Sequence, residues 1–164
     1  MFSDIIRILR NPSLISTYNT GLVQTKAYRT LQAETKRLLQ PYGITTVEWA
    51  MLGVLYDNPN GLRFLPLAEV LGVEQSFVTV LTAKLKKKGL VQVVIDEHDR
   101  RHKWILLTSS AKPFVKKVEK VVRNGVRPIL GDLTRKDILT YLKVLERIVD
   151  YSEKGIKNRY DKIA

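Results

Sequence analysis

Between Leu67 and Arg101 the sequence sets two short helical patterns in succession. It closes the second with Lys86-Lys87-Lys88-Gly89 and runs directly into two short strands tipped by Asp99-Arg100-Arg101. Pro66 suits the first turn of a helix that ends at Gly72, because that position has no helical acceptor for an N–H. The next helix is predicted from near Glu74 to Lys88, with Phe77, Val78, Leu81 and Leu85 facing inward. Gly89 ends it; Leu90 to Ile95 reads as a strand, Asp96 to Arg101 as a tight charged tip, and Lys103 to Leu107 as the return strand. A basic helix leading into a basic β-ribbon suits a protein that straddles a DNA groove.

The flanks are helical. Ser13 to Gln40 carries apolar positions at Leu14, Tyr18, Leu22, Leu31 and Leu38. Thr45-Thr46-Val47-Glu48 is a capping box, opening a helix with Trp49, Leu52, Val54, Leu55 and Tyr56 that should stop before Pro59. Leu62-Arg63-Phe64 is long enough only for a small strand. Beyond the ribbon, one helix starts near Ser109–Pro113 and ends near Pro128–Gly131; another is capped by Thr134 with Asp137 three residues on. The predicted fold is mainly α with a small β-wing: a winged helix-turn-helix over 43–108, an N-terminal arm and dimerisation helix over 1–42, and C-terminal dimerisation helices over 109–164, one compact domain overall. The stripes Val115, Val118, Val122 and Ile138, Tyr141, Leu142, Leu145, Ile148, Val149 lack an obvious partner in so small a core. The same helices of a second subunit are the simplest partner, which predicts a homodimer.

Hydrophobic content of 45% over 164 residues is ordinary for a globular core. The net charge of +12 and pI near 10.0 are not ordinary for a small enzyme and attract polyanions, nucleic acid above all. The absence of cysteine excludes thiol catalysis, disulfides and cysteine-based zinc sites. No histidine lies outside the predicted wing, and there is no phosphate-cradling glycine loop and no pair of carboxylates in an apolar setting, so neither an enzyme nor a cofactor is expected. His98 and His102 flank a turn where their spacing does not align them, and no third ligand is evident, so no metal is expected. No apolar run approaches the roughly 18 residues of a membrane span, and MFSDIIRILRNP lacks the pattern of a secretion signal. The expectation is a cytoplasmic chain with no membrane partner.

Four segments in order, Ile44-Thr45-Thr46-x-x-Trp49, Leu67-Ala68-Glu69-Val70-Leu71-Gly72-Val73, Leu85-Lys86-Lys87-Lys88-Gly89-Leu90-Val91, and Asp99-Arg100-Arg101 followed by Leu107-Thr108, resemble the MarR family of winged-helix transcriptional regulators. The likeness is tightest from about Gly43 to Thr108, and the helical flanks extend it over nearly the whole chain. It implies a dimer whose recognition helices enter successive major grooves while the wings follow flanking minor grooves. It also implies a small ligand, bound between the dimerisation helices and the winged domain, that changes the spacing of the reading heads.

On the recognition helix, Gln75, Ser76, Thr79, Val80 and Thr82 are predicted exposed, with Lys84 following; Gln and Thr can donate and accept at base edges, and Val80 can touch a thymine methyl. Arginine is frequent in the first turns of such helices and absent from this one, so A·T-rich sites are expected over bidentate guanine reading. In the wing, the resemblance implies that Asp99 braces Arg101, which enters the minor groove, while Arg100 meets phosphate. Lys86, Lys87, Lys88 and Lys103 are predicted phosphate contacts, although lysines at a helix C-terminus also suit the macrodipole. A second basic run, Lys112, Lys116, Lys117, Lys120, Arg123 and Arg127, is either solvated surface or a contact for DNA or an anionic ligand. Tyr18, Tyr28 and Trp49 are candidates for an effector pocket, with an aromatic or anionic molecule as its occupant. The expected function is a homodimeric, sequence-specific repressor on a pseudo-palindromic double-stranded site. The alternatives are a non-specific or architectural nucleic-acid binder, and a fold that has lost its DNA role.

Overall fold

The computed structural model describes residues 16–96, 99 and 102–160. In order they form α1 (Thr17–Leu39), a 3-10 turn (Gln40–Tyr42), α2 (Thr46–Asp57), β1 (Leu62–Arg63), α3 (Phe64–Leu71), α4 (Gln75–Lys87), β2 (Val91–Ile95), β3 (Lys103–Leu107), α5 (Ala111–Leu130) and α6 (Arg135–Tyr160). This is the mainly helical fold with a small β-wing that the sequence predicts.

Local chemistry explains the boundaries. The capping box of α2 forms in full: Glu48 N–H donates to Thr45 Oγ1 (3.2 Å) and Thr45 N–H to Glu48 Oε2 (2.8 Å). At the end of α4, Leu90 N–H reaches back to Leu85 O (3.0 Å) and Gly89 N–H to Lys86 O (2.9 Å). That paired closure needs a left-handed residue, and Gly89 supplies it at φ 70°. The chain leaves directly into β2. The sheet is antiparallel in the order β1-β3-β2, with Val93 and Leu62 both opposite Ile105. Thr108, at the exit of β3, donates from its hydroxyl to Gly89 O (2.8 Å) and accepts from Ala111 N–H (3.2 Å). One side chain thus joins the end of α4, the foot of the wing and the start of α5.

The chain divides into two units, Met1–Val126 and Arg127–Ala164. In the first, Leu39 of α1, Met51 and Leu52 of α2, Leu67 of α3, Val78 and Leu85 of α4, and Ile105 of β3 form one buried cluster. Val115, Val118 and Val122 belong to it, at 5%, 0% and 5% exposure. The expectation that this stripe waits for another subunit is therefore corrected: α5 packs it into its own core. In the second unit, Thr134 and Asp137 cap α6 reciprocally, Thr134 N–H to Asp137 Oδ2 at 2.9 Å and Asp137 N–H to Thr134 Oγ1 at 3.3 Å. Along α6, Tyr141, Leu142, Ile148 and Val149 are exposed.

Candidate nucleic-acid interface

Helix α4 carries its core face on Val78, Leu81 and Leu85, an i, i+3, i+7 set that turns the opposite side outward. Gln75, Ser76, Thr79, Val80 and Lys84 lie on that outer side, exposed. Two expectations for this helix are corrected. Thr82 is buried at 4% exposure, with its hydroxyl donating to Val78 O at 2.7 Å, and so cannot meet a base edge. Phe77 is 41% exposed rather than inward. At about 100° per residue, Thr82 and Phe77 each fall about 40° beyond the arc set by Val78, Leu81 and Leu85, on opposite edges, and only the Thr82 edge is covered.

The lysine run at the end of α4 also separates by geometry. Lys84, Lys86 and Lys87 are exposed, and among the described residues no carboxylate pairs with them. Lys88 is different. Its Nζ donates to Gly43 O at 2.7 Å and stands 3.3 Å from Glu48 Oε2, a carboxylate buried to 5% exposure. Burial pushes the Glu48 carboxyl upward, but the Thr45 N–H, the Lys88 ammonium and the Thr45 hydroxyl outweigh it and hold it below the usual range. Lys88 thus fastens the end of α4 to the start of α2, which argues against its reading as a phosphate contact.

In the wing, Arg100 and Arg101 lie outside the described residues, as does His98. Asp96 organises the turn beside them: Asp99 N–H donates to its Oδ1 (3.2 Å) and Trp104 Nε1–H to its Oδ2 (2.8 Å). Asp99 Oδ2 stands 3.6 Å from His102 Nδ1. Lys103 is exposed and, with His102, borders a groove of about 560 Å³ whose other walls include Gln75 and Thr79 of α4 and Arg63 of β1. Arg63 had no role in the sequence reading.

A larger cavity, about 890 Å³, opens between α2 and α5. Trp49, Gly53 and Tyr56 supply its α2 side; Lys116, Lys120 and Arg123 supply cationic groups from α5, with Arg123 Nη2 held 3.0 Å from Glu119. Of the three aromatics predicted for a pocket, only Trp49 lines it. Tyr18 and Tyr28 are exposed on α1 at 71% and 62%. Half of the second basic run, by contrast, comes to this wall.

A helix pair whose second member presents polar side chains, followed by a β-hairpin packed on the same core, defines a winged helix-turn-helix protein. Residues 42–102 match the MarR family. The chain is 32% identical over 118 residues to the transcriptional activatory protein BadR of Rhodopseudomonas palustris, covering 70% of this chain and 67% of that one. Among solved structures it resembles AbsC, a MarR family transcriptional regulator from Streptomyces coelicolor, with TM-score 0.74 and 22% identity over 85% of this chain and 97% of that one. It also resembles CouR from Rhodococcus jostii RHA1, solved bound to p-coumaroyl-CoA, with TM-score 0.73 and 19% identity over 79% and 90%. The chain belongs to the MarR family of transcriptional regulators.

Proposed function

We propose that the protein acts as a cytoplasmic homodimer that binds a pseudo-palindromic duplex and represses by occluding a promoter. The observation that carries this reading is the outer side of α4, where exposed Gln75, Ser76, Thr79 and Val80 run into the exposed lysines Lys84, Lys86 and Lys87. Base edges are read by Gln75, Ser76 and Thr79 in the major groove. In the wing, Arg101 enters the minor groove braced by Asp99, and Arg100 and Lys103 meet phosphate. The exposed apolar residues of α6 are the surface that a second copy covers.

The α2/α5 cavity is the seat of an effector. Its aromatic side on Trp49 and Tyr56 and its cationic side on Lys116 and Lys120 suit a small aromatic or anionic molecule. The complex of CouR with p-coumaroyl-CoA supports that class. Activation is the second reading for the sign of regulation, favoured by the description of BadR as an activatory protein.

The test is selection of bound duplexes from a random pool, followed by affinities against scrambled DNA across a salt series. A pseudo-palindromic winner with a steep salt slope is the expected result. Steep salt dependence without a preferred sequence would instead mark a non-specific or architectural binder.

A further inference from the structure

We infer that Arg63, held on a Trp104 platform, forms with Lys103 a seat for one phosphate of the DNA backbone between wing and recognition helix. The inference rests on the DNA-binding reading above and adds a residue and a site to it.

The seat is built by the register of the sheet. Arg63 and Trp104 are directly opposite each other on β1 and β3. Gly61 lets β1 approach this closely: its φ is 79°, and a Cβ there would lie 2.7 Å from Ile105 O. Across the strand pair, the Arg63 guanidinium lies over the Trp104 ring, 5.7 Å from its centroid. Trp104 is fixed in turn by its Nε1–H bond to Asp96. A cation over an indole face keeps its N–H edge free for an acceptor. Among the described residues no carboxylate takes that role, and Arg63 is exposed.

The groove that Arg63 borders has Lys103 from the wing on one side and Gln75 and Thr79 from α4 on another. Two cations and two polar side chains on one groove match an anionic, hydrogen-bond-accepting strand. A duplex read by α4 and flanked by the wing must carry its backbone past this gap. Fork-shaped donation by arginine suits phosphate oxygens better than a point charge does.

The experiment measures affinity for the selected duplex and for a scrambled one over a salt series, with unfolding temperature recorded for each variant. Arg63→Met is expected to weaken both duplexes by the same factor and to lower the salt slope by about 0.9, one phosphate contact. Arg63→Lys keeps the charge, so it should preserve the slope while still losing affinity. It serves as the deciding variant if Arg63→Met fails to fold. Slope and affinity unchanged in Arg63→Met, while Lys86→Met lowers the slope, would overturn the seat and leave the DNA-binding reading standing. So would a loss confined to one of the two duplexes, which marks a base contact. Absence of salt-dependent binding by the wild type would remove the reading itself and the seat with it.

Discussion

Lys88→Met separates a lysine held by Glu48 from its exposed neighbours Lys86 and Lys87. The Lys88 ammonium is bonded to Gly43 O at 2.7 Å and paired with Glu48 at 3.3 Å. Its own side chain is 37% exposed while that of Glu48 is 5% exposed. The pair therefore lies between a surface ion pair, worth about 0.2–1 kcal/mol, and a hydrogen bond to a charged group, worth about 1.5–3 kcal/mol. Methionine keeps most of the aliphatic stem but leaves Glu48 with only the Thr45 donors. A loss of about 2 kcal/mol follows, which at about 2–4 °C per kcal/mol for a chain of this size lowers Tm by about 4–8 °C. The salt slope for DNA should not change, because that ammonium is already occupied. Lys86→Met and Lys87→Met should do the reverse, each lowering the slope by about 0.9 with Tm nearly constant. Thermal unfolding and fluorescence anisotropy titrations on the same preparations decide the matter. A slope reduced by about 0.9 in Lys88→Met, at an unchanged Tm, would refute the assignment.

Other outcomes follow from the same geometry. Because the folded Glu48 carboxyl sits below its ordinary range, the unfolded chain binds the proton first. Its contribution is full above the unfolded pKa of about 4.3 and is lost as pH falls through the lower folded value; Glu48→Gln, measured by denaturant titration, should flatten that part of the acid limb. Gly53 sits inside α2 with nothing within 4 Å of an added Cβ, on the wall of the α2/α5 cavity. Gly53→Ala should gain up to about 1 kcal/mol of helix stability in thermal unfolding, whereas Gly53→Leu should intrude on the cavity and weaken any response to an aromatic or anionic molecule at retained DNA affinity. Thr82→Val should leave operator affinity within about twofold, since its hydroxyl meets only Val78 O; Gln75→Ala should cost about 1–3 kcal/mol of discrimination between selected and altered sites, read by competition binding.

What could be read from the sequence was what local rules determine. The Thr45–Glu48 box, the Gly89 stop and the Thr134 cap each depend on residues within four or five positions of one another, and each appears where its pattern lies. Residue polarity is a weaker guide to facing. The polarity of Thr82 predicts exposure, yet it lies at i+4 from Val78 and i−3 from Leu85, beside the core face, and a back-bonded hydroxyl makes burial there cheap. Val115, Val118 and Val122 look unpartnered in sequence because the other members of their cluster, such as Leu39, Met51 and Leu52, are distant along the chain.

The lysine run and Arg63 show the same limit at the level of the site. Lys86, Lys87 and Lys88 are chemically identical in a sequence, and the partner that distinguishes Lys88 is 40 positions away. Glu48 offered a usable signal, however: a carboxylate in the third position of a capping box, next to Trp49 and ahead of Met51 and Leu52, is bound for partial burial and will draw a cation to it. Trp49 itself lines the α2/α5 cavity, so the residue that holds α4 through Lys88 is adjacent in α2 to one that faces the cavity. The anchor for the end of α4 and one wall of the α2/α5 cavity therefore sit on adjacent residues of α2. A displacement of the α2 backbone at Trp49 would thus reach Glu48 and, through Lys88, the end of α4.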